Sequence, residues 1–298
     1  MSDEFVDHDS GRDRRSRVVD VRRVTPGIVR VVLAGDDLAD YVDNGTDQHV
    51  AVLFYDDDVI VPHPLTEELA ATMRPFVRPR MRRYTIRRFD PATRRLDLDV
   101  AVHGDGGPGV RWALDVRPGD DVWWWGPTSA WRPGPGAARI LAVGDETALP
   151  AIEAIVREAP AGVPVRVVAE VAHPGDERYL DEVAGRAEIE WIRRRGPLGE
   201  ASADLLAAVR AATGEPAGLR VWGAGEYVTV QALRRWFHGD RGLDRRAAHL
   251  TTYWTHDQPQ DLRAERRDAR EVAENRRLHP GLARRFLRPA PGDVGGLA

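Results

Sequence analysis

The chain has 298 residues, 42% of them hydrophobic and 30% charged, with a formal net charge of −4. That length exceeds the usual size of one domain and the composition is globular, so two packed domains are expected. The absence of cysteine excludes disulfides, thiolate metal sites and cysteine-ligated iron–sulfur clusters, and the mild negative charge provides no field for nucleic acid.

No lysine occurs, so every basic side chain other than histidine is a planar, permanently charged arginine, and Schiff-base chemistry on lysine is ruled out. The nine histidines are scattered without ligand-type spacing, so no metal site is expected. No apolar run approaches the roughly 18–20 residues of a membrane span. Met1 to Arg17 are polar and lack the apolar core of a signal peptide, so the expectation is a cytoplasmic, monomeric protein with no stable membrane association.

In chain order, residues 1–14 give no sign of regular structure. Alternating runs at Arg17–Val24 and Ile28–Leu33 flank the turn Thr25-Pro26-Gly27, and further strands are predicted at Gln48–Tyr55, Arg83–Phe89, Leu96–His103 and Asp121–Trp125. Short strands at this spacing predict an antiparallel β-barrel over 15–132. A Pro/Gly linker, Pro133 to Gly136, opens a second pattern over 133–255. Strands at Arg139–Gly144, Val165–Val171, Ile189–Ile192, Leu219–Ala224 and Ala248–Trp254 alternate with helices at Ala148–Glu158, Ala203–Ala212 (Ser202 as N-cap) and Tyr227–His238. This alternation predicts an α/β domain with a parallel sheet. The charged tail over 256–298 carries a weak apolar stripe, Leu262, Ala269 and Val272, and is expected to be partly helical, exposed and frayed at its end.

Five segments carry candidate chemistry. In Arg82-Arg83-Tyr84-Thr85, Tyr84 offers a flat ring to an isoalloxazine, Thr85 a hydroxyl to its N5 or O4 edge, and an arginine a charge to phosphate. An ordinary barrel strand with Tyr84 in the core accounts for the same residues. His103-Gly104-Asp105-Gly106-Gly107-Pro108-Gly109-Val110 places glycines ahead of a short helix whose N–H groups would face a pyrophosphate, or else forms a hairpin loop. Gly144-Asp145-Glu146-Thr147-Ala148 hands a strand to a helix without the GxGxxG fingerprint, and Gly223-Ala224-Gly225-Glu226 makes a second such turn at the same sheet edge. Tyr253-Trp254 end the last strand, where they either cover a flavin or close a core.

In this order the segments resemble the siderophore-interacting proteins, FAD-containing ferric-siderophore reductases of the two-domain ferredoxin-reductase-like type. The resemblance runs from about Arg17 to Trp254 and rests on RPRMRRYTIRRFD, HGDGGPGVRWA, VGDETALPAI, WGAGE and the final YW. It implies FAD held by Arg82, Tyr84 and Thr85, with Tyr84 and Thr85 at the reacting ring. It places His103, Gly104, Gly106, Gly107, Gly109 and Val110 around the diphosphate. Asp145, Thr147, Ala148, Gly225, Glu226, Tyr253 and Trp254 complete the cofactor and nucleotide site. Electrons are expected from NADH, NADPH or ferredoxin and are passed to Fe(III) in a chelate, whose hard oxygen ligands hold Fe(II) far less well.

Departures from the family pattern bear on the substrate. Ala51 stands where a lysine is usual, Thr128 and Thr255 where arginines are usual, and Val110 where a serine is usual; Asp56-Asp57-Asp58 follow the first. Trp123-Trp124-Trp125 and Trp131 could wall a flat neutral ligand, with Trp124 facing opposite to its neighbours. A neutral or hydroxamate-type ferric chelate is therefore expected as substrate. The alternatives are flavin chemistry on an organic substrate and a binding protein without redox function. Glu170, Asp176 and Glu177, after the second strand of the sheet, favour NADH over NADPH.

Overall fold

The computed structural model describes residues 12–42, 46–102, 107–128, 131–256 and 262–288. Strands β1 (Arg12–Thr25), β2 (Ile28–Ala34), β3 (His49–Phe54), β4 (Arg80–Asp90), β5 (Arg95–Ala101) and β6 (Asp121–Thr128) close an antiparallel barrel in the order β1-β2-β5-β4-β3-β6. Period-two alternation sends Val29, Val31 and Leu33 of β2 and Leu96, Leu98 and Val100 of β5 into its interior. Trp124 joins them, its indole N–H donating to Ser16 Oγ at 3.0 Å.

β1 begins at Arg12, five residues before the predicted start, and the added residues pair with β6 from Arg12↔Gly126 to Arg17↔Asp121 to close the barrel. The polar run Asp13-Arg14-Arg15 hid this strand. Arg14 is nonetheless buried, its Nε donating to the Gly126 carbonyl at 3.1 Å and its guanidinium lying 5.4 Å from the Trp124 ring centroid. Helix α1 (Glu67–Met73), between β3 and β4, has no counterpart in the sequence reading; Thr66 Oγ1 caps it by accepting from Leu69 N at 3.2 Å. Helix α2 (Pro108–Asp115) packs Ala113 and Trp112 against the barrel core.

Strands β7 (Arg139–Gly144), β8 (Val165–Val171), β9 (Glu188–Arg193), β10 (Leu219–Glu226) and β11 (Ala248–Trp254) form a parallel sheet in the order β11-β10-β7-β8-β9. α3 (Leu149–Glu158) and a 3-10 segment (Pro174–Arg186) cover one face in a core that also takes in Ile28 and Trp131. α4 (Ala203–Thr213), capped by Ser202 as predicted, and α5 (Tyr227–Arg234), which runs on as a π turn over Arg235–Asp240, cover the other. Trp131 is 3% exposed in the first of these cores, and its backbone N–H donates to Asp47 Oδ1 at 3.0 Å. It therefore walls no ligand cleft.

The tail corrects a second expectation. Helices α6 (Leu262–Leu278) and α7 (Pro280–Ala283) lie back against the barrel domain. Polar side chains of α6 dock it there. Asn275 Nδ2 donates to Pro75 O at 3.1 Å and Arg276 Nε to Phe76 O at 2.8 Å, while Ala269 is exposed. Beyond α6, Ala283 and Phe286 are buried with Met73, Phe76 and Val77.

A polar seam joins barrel and sheet. Asp176 accepts from Gly27 N at 2.8 Å, and a Cβ on Gly27 would come within 2.5 Å of that carboxylate, so the contact requires glycine. Arg30 makes two 2.7 Å hydrogen bonds to Asp99, which also accepts from the Tyr179 hydroxyl. Arg87 reaches Glu153 on α3 and Glu182 on the 3-10 segment.

Candidate flavin and nucleotide site

On β4, alternation directs Arg82 and Tyr84 to one side and Arg83, Thr85 and Arg87 to the other. Tyr84 packs under α2, its ring 5.8 Å from that of Trp112. A Cβ on Gly109 would fall 1.7 Å from the Tyr84 hydroxyl and 3.7 Å from Arg82 Cγ, so glycine alone lets the first turn of α2 close so near. Burial raises the Tyr84 phenol above its ordinary range and keeps it protonated.

Gly107, the N-cap of α2, supplies no capping side chain, and nothing lies within 4 Å of where its Cβ would be. The N–H groups of Gly109 and Val110 have no intrahelical partner. Two backbone donors at the positive end of a helix thus lie beside open space, with the stem of Arg82 close to Gly109 and its Nη1 donating to Met81 O at 2.7 Å, an arrangement that fits a diphosphate. Val110 contributes its N–H without the hydroxyl a serine would add. His103, Gly104 and Gly106 lie outside the described residues.

Thr85 is buried and neighbours the side chain of Tyr253 at the end of β11. Tyr253 stands edge-on to Trp222, ring centroids 6.2 Å apart, and Asp47 of the barrel accepts from Trp222 Nε1 at 3.2 Å. The strand bearing the flavin motif therefore meets the carboxyl edge of the parallel sheet. Asp47 was missed in the sequence because its partners, Trp131 and Trp222, are remote along the chain.

At that edge Asp145 ties three strands together. Its Oδ1 accepts from Thr147 N at 2.9 Å, and its Oδ2 accepts from Glu226 N at 3.0 Å and Trp254 Nε1 at 2.8 Å. Glu226 caps α5 through Val228 N and Thr229 N and accepts from His256 N at 3.3 Å. Gly144, Asp145, Ala224, Gly225, Glu226 and Trp254 line one side of a cavity of about 220 Å³, faced by the loop after β9. It sits at the β7/β10 switch point, where open α/β sheets bind ligands. The carboxylates of Asp145 and Glu226 shape this cavity while their hydrogen-bonding capacity is spent within the protein. Ala148 is buried against Gly144, and the Thr147 hydroxyl is bound to Asp145.

The acidic cluster invoked for donor choice is dispersed. Asp176 holds Gly27, and Glu177 accepts from Arg193 Nε at 3.1 Å. Only Glu170 lines the cavity, bonded at 3.0 Å to Arg194, which also grips Glu146 with contacts of 2.9 and 2.7 Å. Arg195, exposed at the same cavity, has no ion-pair partner among the described residues.

A second cleft, of about 550 Å³, lies on the outer face of β3, β4 and β6. Ala51 and Thr128 line it together, as expected, along with Trp125. His49 is their neighbour, its Nε2 2.8 Å from Thr128 Oγ1, and burial lowers its pKa so that the ring is neutral near pH 7. Thr255 is not part of this cleft; it follows β11 beside Trp254 at the sheet edge. Nor do Asp56–Asp58 line it. Asp56 lies 3.5 Å from Arg80, and Asp58 lies 3.7 Å from Arg276. The cleft has cations that motif positions did not reveal, namely Arg74, Arg78 and Arg83. Trp124 points inward, opposite to Trp123 and Trp125, as its alternation predicts.

Among the described residues no helix is long and apolar enough to cross a membrane, and no cluster of metal-ligating side chains occurs. A barrel followed by a parallel nucleotide-type sheet is the two-domain ferredoxin-reductase-like fold. The ferredoxin reductase of carbazole 1,9a-dioxygenase shares it at a TM-score of 0.58 and 19% identity, over 82% of this chain and 70% of that one. Residues 17–131 match the siderophore-interacting FAD-binding domain and residues 137–257 the siderophore-interacting protein domain. The chain belongs to the siderophore-interacting protein family. It is 33% identical over 258 residues to an uncharacterized protein of Mycobacterium tuberculosis, covering 82% of this chain and 91% of that protein. It is 27% identical to the ferric vibriobactin reductase of Vibrio cholerae, over 78% of this chain and 85% of that protein. The crystal structure of a siderophore utilization protein from T. fusca matches at a TM-score of 0.70 and 33% identity, covering 84% of this chain and 95% of that chain.

Proposed function

We propose that this chain is a flavin-dependent reductase of ferric chelates supplied with electrons by a nicotinamide nucleotide. The observation that carries the reading is the meeting of barrel and sheet edge, where Trp222 Nε1 on β10 donates to Asp47 of the barrel at 3.2 Å and Tyr253, edge-on to Trp222, neighbours Thr85 on the strand of the FAD-binding motif. It brings the two halves of an electron path within one side chain of each other. Bound FAD supplies the chemistry that neither domain has, accepting an electron pair from a nicotinamide and releasing single electrons to Fe(III).

The protein's own residues have separable tasks. Arg82 and the first-turn N–H groups of α2 hold the diphosphate. The Thr85 hydroxyl, beside Tyr253, would meet the polar edge of the ring. Tyr253, Trp222 and Trp254 exclude water at the junction of the domains. The cavity at the β7/β10 switch receives the nucleotide, and Arg195 offers a guanidinium to a 2′-phosphate, so NADPH is favoured over NADH.

The uncharged side chains of Ala51 and Thr128 in the barrel cleft favour a neutral, hydroxamate-type chelate over a compact polyanion. The name of the Vibrio cholerae relative, a ferric reductase, supports the reaction class. The test is to purify the chain, identify copurified flavin, and add NADPH and a ferric hydroxamate under argon with an Fe(II) trap present. FAD in the protein and trapped Fe(II) in catalytic excess are expected. A flavin that NADPH or NADH reduces but that delivers no electron to any ferric chelate would refute the proposal.

A further inference from the structure

We propose that the barrel cleft seats the apolar arm of an amphiphilic ferric chelate bearing little net negative charge, making the substrate a lipophilic chelate. The proposal rests on the ferric-chelate reading and adds the substrate's chemical class. The inner end of the cleft is formed by His49 and Thr128, and His49 pairs in register with Thr85, so a ligand there adjoins the flavin strand. From that end the cleft runs along β3 and β4 toward α1.

The outward face of a barrel strand is ordinarily polar. Here the floor is Ala51, Leu53, Met81 and Trp125, and Met73 and Val77 form the opposing wall. Met81 is 51% exposed, an adaptable apolar side chain held open to solvent inside a concavity, where an apolar ligand would cover it. A volume of about 550 Å³ is that of a small-molecule pocket.

Charge limits what can fill it. Three arginines, Arg74, Arg78 and Arg83, face two aspartates, Asp13 and Asp268. Arg78 is engaged by Asp268 at 3.0 Å and Glu271 at 3.3 Å. Arg74 and Arg83 have no ion-pair partner among the described residues. With Glu271 on Arg78 counted, the three arginines meet three carboxylates, so the cleft suits an apolar body of little net charge and a trianion would remain largely uncompensated.

The C-terminal arm reaches the outer side of the cleft through one lining residue. Asp268 belongs to α6, and the arm fixes the segment after α1 through Asn275 on Pro75 O and Arg276 on Phe76 O. The arm lies beyond residue 257, where the match to the family models ends, and it contributes Asp268 to the cleft lining.

The experiment uses the FAD-loaded full chain and redox-inert Ga(III) chelates, so that binding is read without turnover. Two Ga(III) tris-hydroxamates, differing only in a pendent octyl chain, and Ga(III) tris-catecholate are titrated by calorimetry at several temperatures. The octyl chelate is expected to bind at least tenfold more tightly than its chain-free counterpart, with a more negative heat-capacity change. The tris-catecholate should bind most weakly.

Met81→Glu should lower affinity for the octyl chelate by a larger factor than for the chain-free chelate, removing most of the octyl advantage; the comparison of chelates on the unmodified protein stands even if that variant misfolds. Equal affinity for the two hydroxamates, tighter binding of the tris-catecholate, or a Met81→Glu variant that loses FAD while keeping its chelate preference would overturn the proposal. Octyl-selective Ga(III) binding with no reduction of the Fe(III) forms would sink the reductase reading alone. Reduction of all chelates without chain preference would sink the present inference alone.

Discussion

Replacing Arg87 with Met should destabilise the chain by about 3–5 kcal/mol near neutral pH and by much less in mild acid. Arg87, 5% exposed on β4, spans the seam between the domains. Its Nε lies 2.9 Å from Glu153 Oε2, and its Nη2 donates to Glu182 Oε2 at 2.7 Å and to Glu153 Oε1 at 3.2 Å. Glu182 is largely solvated and loses little. Glu153 is 1% exposed and would keep only Arg157, 3.1 Å away. Burial already holds the Glu153 carboxyl above its ordinary value of 4.5, with Arg87 the leading opposing influence, so removing Arg87 must raise it further.

A carboxyl whose folded pKa is raised binds more protons folded than unfolded, so its contribution to stability falls as pH rises from 4.5 through the folded value. Below that window the acid is neutral in both states, and the variant loses only packing and hydrogen bonds. Above the window an unpaired charge is buried. At roughly 2 °C per kcal/mol for a chain of this size, the loss in Tm should be about 6–10 °C near pH 8 and should shrink toward pH 5. Calorimetric scans of both proteins across that range provide the check, and an equal Tm deficit at both ends would refute the assignment to Glu153. Because Arg87 lies two residues beyond Thr85 on the same face of β4, the variant should also slow flavin reduction by nucleotide while retaining FAD.

Three further outcomes are expected. Arg82→Ala should weaken FAD retention by about tenfold or more, whereas Arg88→Ala, on the exposed side of β4, should leave it unchanged; flavin fluorescence titration of the apoproteins measures both. Arg195→Ala should raise KM for NADPH about tenfold and leave that for NADH in place, and equal changes for the two would show that the guanidinium meets no 2′-phosphate. Thr128→Arg should raise kcat/KM for a trianionic ferric tris-catecholate about fivefold at low salt, with the gain fading as salt rises, while Thr255→Arg, outside the cleft, should give no such gain.

The order of barrel and sheet was legible because strand periodicity and strand–helix alternation are local properties. The succession Arg82, Tyr84, Thr85 was legible for a related reason. Neighbours on a strand face opposite ways, so one short motif can supply both a packing ring and an outward hydroxyl. The exceptions share a cause. Arg12 to Ser16 read as unstructured because an arginine inside a barrel is acceptable only once the Gly126 carbonyl and the Trp124 ring stand beside it. α1 and the docked tail depend on each other: Met73, Phe76 and Val77 need Ala283 and Phe286, some two hundred residues on, to bury them.

The inference from missing cations shows most clearly where sequence reasoning stops. Ala51, Thr128 and Thr255 are each one substitution away from a basic residue in the family pattern, and summing their charges treats them as one site. The fold separates them, leaving two in the barrel cleft and the third at the sheet edge. It then delivers Arg74 to the cleft from the end of α1, outside any motif, and Arg78 and Arg83 from within the stretch RPRMRRYTIRRFD itself. Asp56–Asp58, counted as repulsive because they follow Ala51 closely, turn away toward Arg80 and Arg276. Adjacency in sequence is thus a poor guide to the field in a cleft, since attraction depends on distance and on which charges are already paired. The preference against polyanions therefore rests on the pairing of Arg78 with Asp268 and on the apolar floor from Ala51 to Met81, and substitutions there will test it more sharply than restoring the family's lost arginines.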